Sequence, residues 1–190
     1  MKHLLISILA ASLLLNCKQK DSEQAKTEEE ANSVVANNKI DTIVVYWETN
    51  FDTIRQRHEI NIENYTYELE LKTYSLNDSS IVKLNDGGRS EIHKDIYHDN
   101  VTDIILKKGN NVILKSQIKK ATFKDSLNGD FLKYSVLRSV KYESIRSNNL
   151  YFKADIDVPD TDWSTELDFT IFYRTDKKGQ IEYWNIKESD

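Results

Sequence analysis

Four carboxylates fall within eight residues at Asp155, Asp157, Asp160 and Asp162, with Pro159, Thr161 and Trp163 between or beside them. A calcium ion takes six to eight oxygen ligands, so this acidic stretch is a candidate Ca²⁺ site, with calcium the candidate cofactor. The spacing fits an EF-hand loop poorly. Counted from Asp160, Asp162 and Ser164 occupy the third and fifth places, but Thr165 stands where glycine is required and Ile171 where the closing glutamate belongs. A plainer reading puts Asp155 and Asp157 on the wet face of a strand whose dry face is Ala154, Ile156 and Val158. Asp160 and Asp162 then serve as turn residues bonding their own backbone. A second cluster, His93, Asp95, His98 and Asp99, has zinc-ligand residue types. As a strand, 93 and 95 share a face with 98 opposite, and as a helix 95, 98 and 99 converge. Zinc needs three or four ligands in fixed geometry, so a solvated loop is the expectation here.

Aromatic rings are the other residues with binding chemistry. Tyr46, Tyr74, Tyr97, Tyr151, Phe172 and Trp184 fall off the apolar stripes described below. Rings on an outward sheet face hold sugars or partner proteins, and Tyr151, Trp163 and Trp184 are the candidate binding residues. The competing expectation is that a second layer covers them. No Gly-x-Ser-x-Gly elbow and no phosphate-cradling glycine loop occurs, since Asp86-Gly87-Gly88 lacks both the length and a following helix. Catalytic residues are therefore assigned to none. Paired carboxylates for polysaccharide hydrolysis remain an alternative, because their separation is a property of the fold.

Cys17 is the sole cysteine. It follows Lys2, His3 and the apolar run Leu4 to Leu15, the basic-then-apolar layout of an export signal. That run is too short to span a ~30 Å hydrocarbon layer. The stretch Leu14-Leu15-Asn16-Cys17 resembles the lipobox of bacterial lipoproteins, with Asn16 in place of the usual small residue and Cys17-Lys18 similar to the Bacteroidota type. The resemblance implies cleavage after residue 16, a thioether-linked diacylglycerol on Cys17 and acylation, as by palmitate, of the new N-terminus. One acyl chain holds only marginally, at about 0.8 kcal/mol per buried CH₂, so stable anchoring takes two or three. The sulfur is then consumed, leaving neither a disulfide nor a thiolate for chemistry. The expected location is the cell envelope, on the outer membrane, with the periplasmic or surface face left open.

Residues 18–39 carry no aromatic and include Glu28-Glu29-Glu30, so they cannot bury enough apolar surface to offset their ordering entropy. They read as an acidic tether from the lipidated cysteine, within 17–40, spanning roughly 25 Å as a coil. A single β-rich domain is expected over 41–190. Ile43, Val45 and Trp47 alternate with polar or opposite-facing residues, as do Ile54 to Ile62, Tyr65 to Leu71, Leu150 to Val158 and Leu167 to Tyr173. Ile81–Leu84 is a short strand. Lys107 to Asn111 and Asp176 to Gly179 read as hairpin turns, and Ile118–Phe123 as a continuation of the sheet. The spacing of Leu132, Val136 and Val140 predicts a short helix over 130–138, capped by Asp130. In the last strand Tyr183 and Trp184 face opposite sides. Nine or ten strands with short connections predict a mainly β fold, an antiparallel sandwich or strongly curved sheet with one or two short helices.

The chain has 190 residues and a formal net charge of −5. Mild acidity argues against nucleic acid, whose phosphates require a basic face. The signal, the tether, the Pro159-Asp160-Thr161-Asp162-Trp163 stretch and the hairpin after it resemble small Bacteroidota lipoproteins whose globular domain has no assigned function. That resemblance implies no activity. The expected function is a non-enzymatic binding or assembly module of the envelope, held to the membrane by its lipid and facing a protein or glycan partner. The alternatives are a hydrolase and a calcium-binding lipoprotein.

Overall fold

The computed structural model describes residues 41–86 and 91–189, without the side chains of 185, 186, 188 and 189. Cys17, the leader, the whole tether over 17–40 and Gly87-Gly88 lie outside the described residues. The strands are β1 (Asp41–Tyr46), β2 (Thr53–Ile62), β3 (Tyr65–Ser75), β4 (Ile81–Asp86), β5 (Glu91–Tyr97), β6 (Asn100–Lys108), β7 (Asn111–Ile118), β8 (Val136–Arg146), β9 (Asn149–Asp157), β10 (Ser164–Phe172) and β11 (Ile181–Ser189). A 3-10 turn (Lys120–Phe123) and one helix, α1 (Gly129–Tyr134), stand between β7 and β8. The strands form two antiparallel four-stranded sheets, β2-β3-β6-β7 and β11-β10-β9-β8, and a small sheet β1-β5-β4 in which β1 runs parallel to β5. The fold is mainly β and sandwich-like, with no closed barrel.

Period-two alternation places one face of each large sheet in a shared core. Tyr67, Leu69 and Leu71 from β3 and Ile104 and Leu106 from β6 meet Leu150, Phe152, Ala154 and Ile156 from β9 and Leu167, Phe169 and Ile171 from β10. Phe152 and Phe169 stack at 5.1 Å, and Phe123 meets Phe169 edge-on at 5.4 Å. Gln56 and His58 end half-buried rather than in the core, Gln56 donating to the Val140 carbonyl (2.9 Å). Ile54 and Tyr65, at opposite ends of the β2–β3 pair, are exposed.

Three local expectations change. Of residues 118–123 only Ile118, the last residue of β7, belongs to the sheet: the chain turns at Lys119 into the 3-10 segment, which drops Phe123 into the core. The helix ends at Tyr134, and 136–138 already belong to β8; Leu137 and Val140 are fully buried as strand residues, so the four-residue spacing of Leu132, Val136 and Val140 is coincidental. Its cap is Asn128, which accepts from the Asp130 N–H (2.9 Å). Residues 91–97 are no solvated loop but β5, the central strand of the small sheet, where pairing on both sides substitutes for a clean apolar face.

Candidate functional site

The outer face of the β8–β11 sheet gathers two of the three candidate binding rings. Thr170 is the register partner of Tyr151, and Asp168 lies opposite both Lys153 of β9 and Trp184 of β11. The unbroken register of 168–171 against 181–184, which lies before the shift between Asp168 and Glu166, sets Trp184 diagonally beside Tyr151. The two rings meet edge to face, centroids 5.8 Å apart at 77°. Trp184 is exposed, and the Arg146 guanidinium from the end of β8 lies 5.6 Å from the Tyr151 ring centre. Glu143, Ser144, Arg146, Lys153 and Asp168 border the same open recess of about 280 Å³. Inside the sheet, Tyr183 points the other way and meets Phe123 at 5.6 Å, so alternation along β11 serves core and surface in consecutive residues.

The charges around this corner are held in a ladder. Lys153 is shared between Glu166 and Asp168 (3.7 Å), and the Glu166 hydrogen bond holds its ammonium above the usual lysine range. Lys141 bonds Asp155 at 2.9 Å, and Arg138 pairs with Asp157. Burial pushes the Asp155 carboxyl up, but the Ser139 hydroxyl and Lys141 outweigh it and hold that carboxyl below its ordinary value.

The four aspartates of the acidic stretch are therefore not assembled around one point. Asp155 and Asp157 lie on the outward face of β9 with cationic partners, as the plainer strand reading has it. Asp160 sits in the following turn with φ 58°, and its carboxylate accepts the Tyr97 hydroxyl (2.7 Å). Burial and that carboxylate together raise the Tyr97 phenol above the ordinary range. The turn closes on itself through Val158 N–H to the Trp163 carbonyl (2.9 Å) and Thr161 Oγ1 to the Val158 carbonyl (2.8 Å). Asp162 lies in the same turn. Among the described residues no three His, Cys, Asp or Glu side chains gather as metal ligands would. Trp163 is not part of the outward corner: it packs edge-on against Phe131 of α1 at 5.1 Å, on the rim of the core.

The second cluster also disperses. His93 approaches Glu91 (3.9 Å), and Asp95 accepts from Asn85 Nδ2. His98 accepts the Ser79 N–H at Nδ1 (2.9 Å) and lies 3.2 Å from the Trp47 carbonyl at Nε2. Asp99 is buried and accepts N–H groups of Asn100 (2.9 Å) and Leu137 (3.2 Å), with Lys120 Nζ 4.0 Å away. It ties the start of β6 to β8. Among the described residues Asp99 is the one carboxyl held above the ordinary range, pushed up by burial.

Of the off-stripe aromatics, Tyr46 is exposed on β1, Tyr97 is buried under Trp47 (5.0 Å, stacked), and Phe172 lies under Lys177 Nζ (5.0 Å). Arg146, Lys153 and Asp168 are site residues that the sequence does not single out. Their spacing carries no signal; only the pairing of four strands brings them to the two rings.

A family model described as Domain of unknown function (DUF4738) matches residues 18–181. The chain belongs to that family. A search of curated proteins finds no match.

Proposed function

We propose that this family member is a lipid-anchored protein of the cell envelope whose β domain binds rather than catalyses, and that the Tyr151–Trp184 corner receives a glycan. The observation that carries the binding reading is the edge-to-face pair of rings on an outer sheet face, bordered by fixed charges. The C–H face of a sugar ring is apolar and slightly positive, and it stacks on the negative face of an indole. Hydroxyl groups around that sugar ring both donate and accept, so they match a border holding both carboxylates (Glu143, Asp168) and cations (Arg146, Lys153). A recess this open and shallow suits a few sugar units of a polymer better than a small molecule, which is buried over most of its surface.

The rival, a hydrolase working through paired acids, draws no support from the geometry. A general acid needs a raised carboxyl facing substrate, whereas Asp99 is buried and held by backbone N–H groups. The anchor rests on Cys17 and the apolar run before it. Mass spectrometry of the native protein is expected to find a diacylglyceryl thioether there, and Cys17→Ser is expected to move the protein from the membrane to the soluble fraction. An unmodified thiol refutes the anchor. The binding reading is tested by isothermal titration calorimetry with dextran and with hyaluronan, one neutral and one acidic polymer. Trp184→Ala is expected to weaken whichever binding occurs at least about tenfold, worth about 1.4 kcal/mol, while its circular dichroism stays native. Equal binding by that variant, or no response to either polymer, rejects the corner as a glycan site.

A further inference from the structure

β1 is an edge strand of unusual composition. Among the described strands the other sheet edges are β2, β4, β7, β8 and β11, and each carries lysine or arginine: Arg55 and Arg57, Lys83, Lys115, Arg138 and Lys141, and Lys187. Charge of this kind discourages pairing with another chain. β1 reads Asp-Thr-Ile-Val-Val-Tyr and has none. It is also exposed on both faces: Ile43, Val44, Val45 and Trp47 are 40% to 46% exposed and Tyr46 68%. Phe51, just beyond, is 84% exposed. Val45 through Asp52 border an open recess of about 750 Å³.

The backbone decides what can dock here. The Trp47 N–H donates to the Ile96 carbonyl of β5 (3.0 Å), and Tyr46 lies opposite Ile96 in the parallel register. Backbone groups alternate sides along a strand. Odd-numbered residues of β1 therefore point their N–H and C=O at β5, and Thr42, Val44 and Tyr46 point theirs at the open edge.

We infer that this edge pairs with β1 of a second copy of the chain, antiparallel, about a two-fold axis at Val44. In that register Val44 faces Val44, Thr42 faces Tyr46, and Tyr46 faces Thr42. Each is a pair of edge-directed residues, so all three exchange both hydrogen bonds and no edge-directed group of β1 is left over. Ile43 lies opposite Val45 on one face, Asp41 opposite Trp47, and no like charges meet. Shifting the two-fold axis to Ile43 or Val45 keeps facing residues on one face but leaves an edge-directed residue at one end of β1 without its β1 partner. The result is a continuous six-stranded sheet with an isologous interface. Aromatic side chains each carry about 150–250 Å², so the exposed parts of Tyr46, Trp47 and Phe51 with the β1 aliphatics offer roughly 600 Å² per copy. A standard interface takes about 800 Å² per partner, and the apposed strand backbones supply much of the difference.

The register makes a sharp test. Residues facing each other in a hydrogen-bonded antiparallel pair have Cα atoms about 5.5 Å apart, inside the disulfide range of about 4.4–6.8 Å. Val44→Cys in the full chain is expected to cross-link to itself on mild oxidation, mapped as a 44–44 peptide by mass spectrometry so that Cys17 does not confuse it. Val45→Cys is staggered by two residues from its own copy, about 8 Å away, and is expected to cross-link poorly. Val44→Lys is expected to weaken dimerisation in sedimentation at least about tenfold, with native circular dichroism and melting. Mixing Val44→Lys with Val44→Glu is expected to restore the dimer, since position 44 meets only itself. A monomeric parent chain would assign the edge to a foreign strand or to residues 1–40 and overturn the inference. Equal cross-linking at 44 and 45, or a dimer indifferent to Val44→Lys, overturns it as well.

Discussion

Removing the ammonium group of Lys120 leaves Asp99 as a buried carboxylate whose remaining partners are backbone N–H groups. The separation is 4.0 Å, and both side chains are largely hidden from water, at 14% and 9% exposure. At that distance two unit charges attract by about 4 kcal/mol at an effective dielectric constant near 20. The desolvation of each ion is of the same order, so the intact pair contributes little net stability while the broken pair is costly, by about 3–5 kcal/mol. Lys120→Met is expected to cost about 3 kcal/mol, which includes the lost bond to the Ser135 carbonyl (2.7 Å). For a domain of this size 1 kcal/mol moves the melting temperature by about 2–4 °C, so a drop of about 9 °C is expected. Asp99→Asn keeps an acceptor for the Asn100 and Leu137 N–H groups and is expected to cost about 1–2 kcal/mol. The double variant carries neither charge and is expected to be at least 1 kcal/mol more stable than the two single losses added together. Urea denaturation of the four proteins measures this. Additive losses within about 0.5 kcal/mol would refute the pairing argument. The pH dependence supplies an independent sign. Burial raises the folded-state Asp99 carboxyl above its ordinary 3.8. Its favourable contribution is therefore full below that value and is lost as pH rises through the folded value. Without Lys120 the carboxyl rises further, so the deficit of Lys120→Met relative to the parent is expected to shrink as pH falls from 7 toward 4.

Glu70 behaves in the opposite sense: burial pushes its carboxyl up, but Lys107 (3.5 Å), Arg57 (3.9 Å) and Arg55 (3.0 Å) outweigh it and hold it below 4.5. Its stabilisation is present above that value and lost as pH falls through the lower folded value, so Glu70→Gln is expected to flatten the acid limb of a plot of melting temperature against pH. Phe169→Ala removes a ring stacked on Phe152 and met edge-on by Phe123; a loss of about 3–5 kcal/mol is expected in chemical denaturation. Gly179 has φ 86° and donates its N–H to the Phe172 carbonyl (2.8 Å), and a methyl group added at its Cα would meet nothing within 4 Å. Gly179→Ala is therefore expected to cost only the left-handed backbone term, about 1–2 kcal/mol, read as a shift in the denaturation midpoint.

Strand alternation is written in the residues themselves. Tyr67-Leu69-Leu71, Leu150 to Val158 and Leu167 to Tyr173 can bury one face only as strands, and the glycines at 109 and 179 sit at left-handed turns. The opposite facing of Tyr183 and Trp184 follows from the same period of two. Other features depend on partners far along the chain. β5 has no clear apolar face, yet β1 and β4 on either side make it a strand, and Phe123 lies off the sheet with its ring packed against Phe169 and Tyr183. The meeting of Tyr151 with Trp184 depends on the β9–β10–β11 register, and the open edge of β1 depends on the parity of its bonds to β5. Local periodicity constrains which way a side chain points relative to its own backbone. Which strand lies alongside, and at what offset, is set by long-range pairing energies that no short window of residues contains, and there the surface chemistry of this protein is decided.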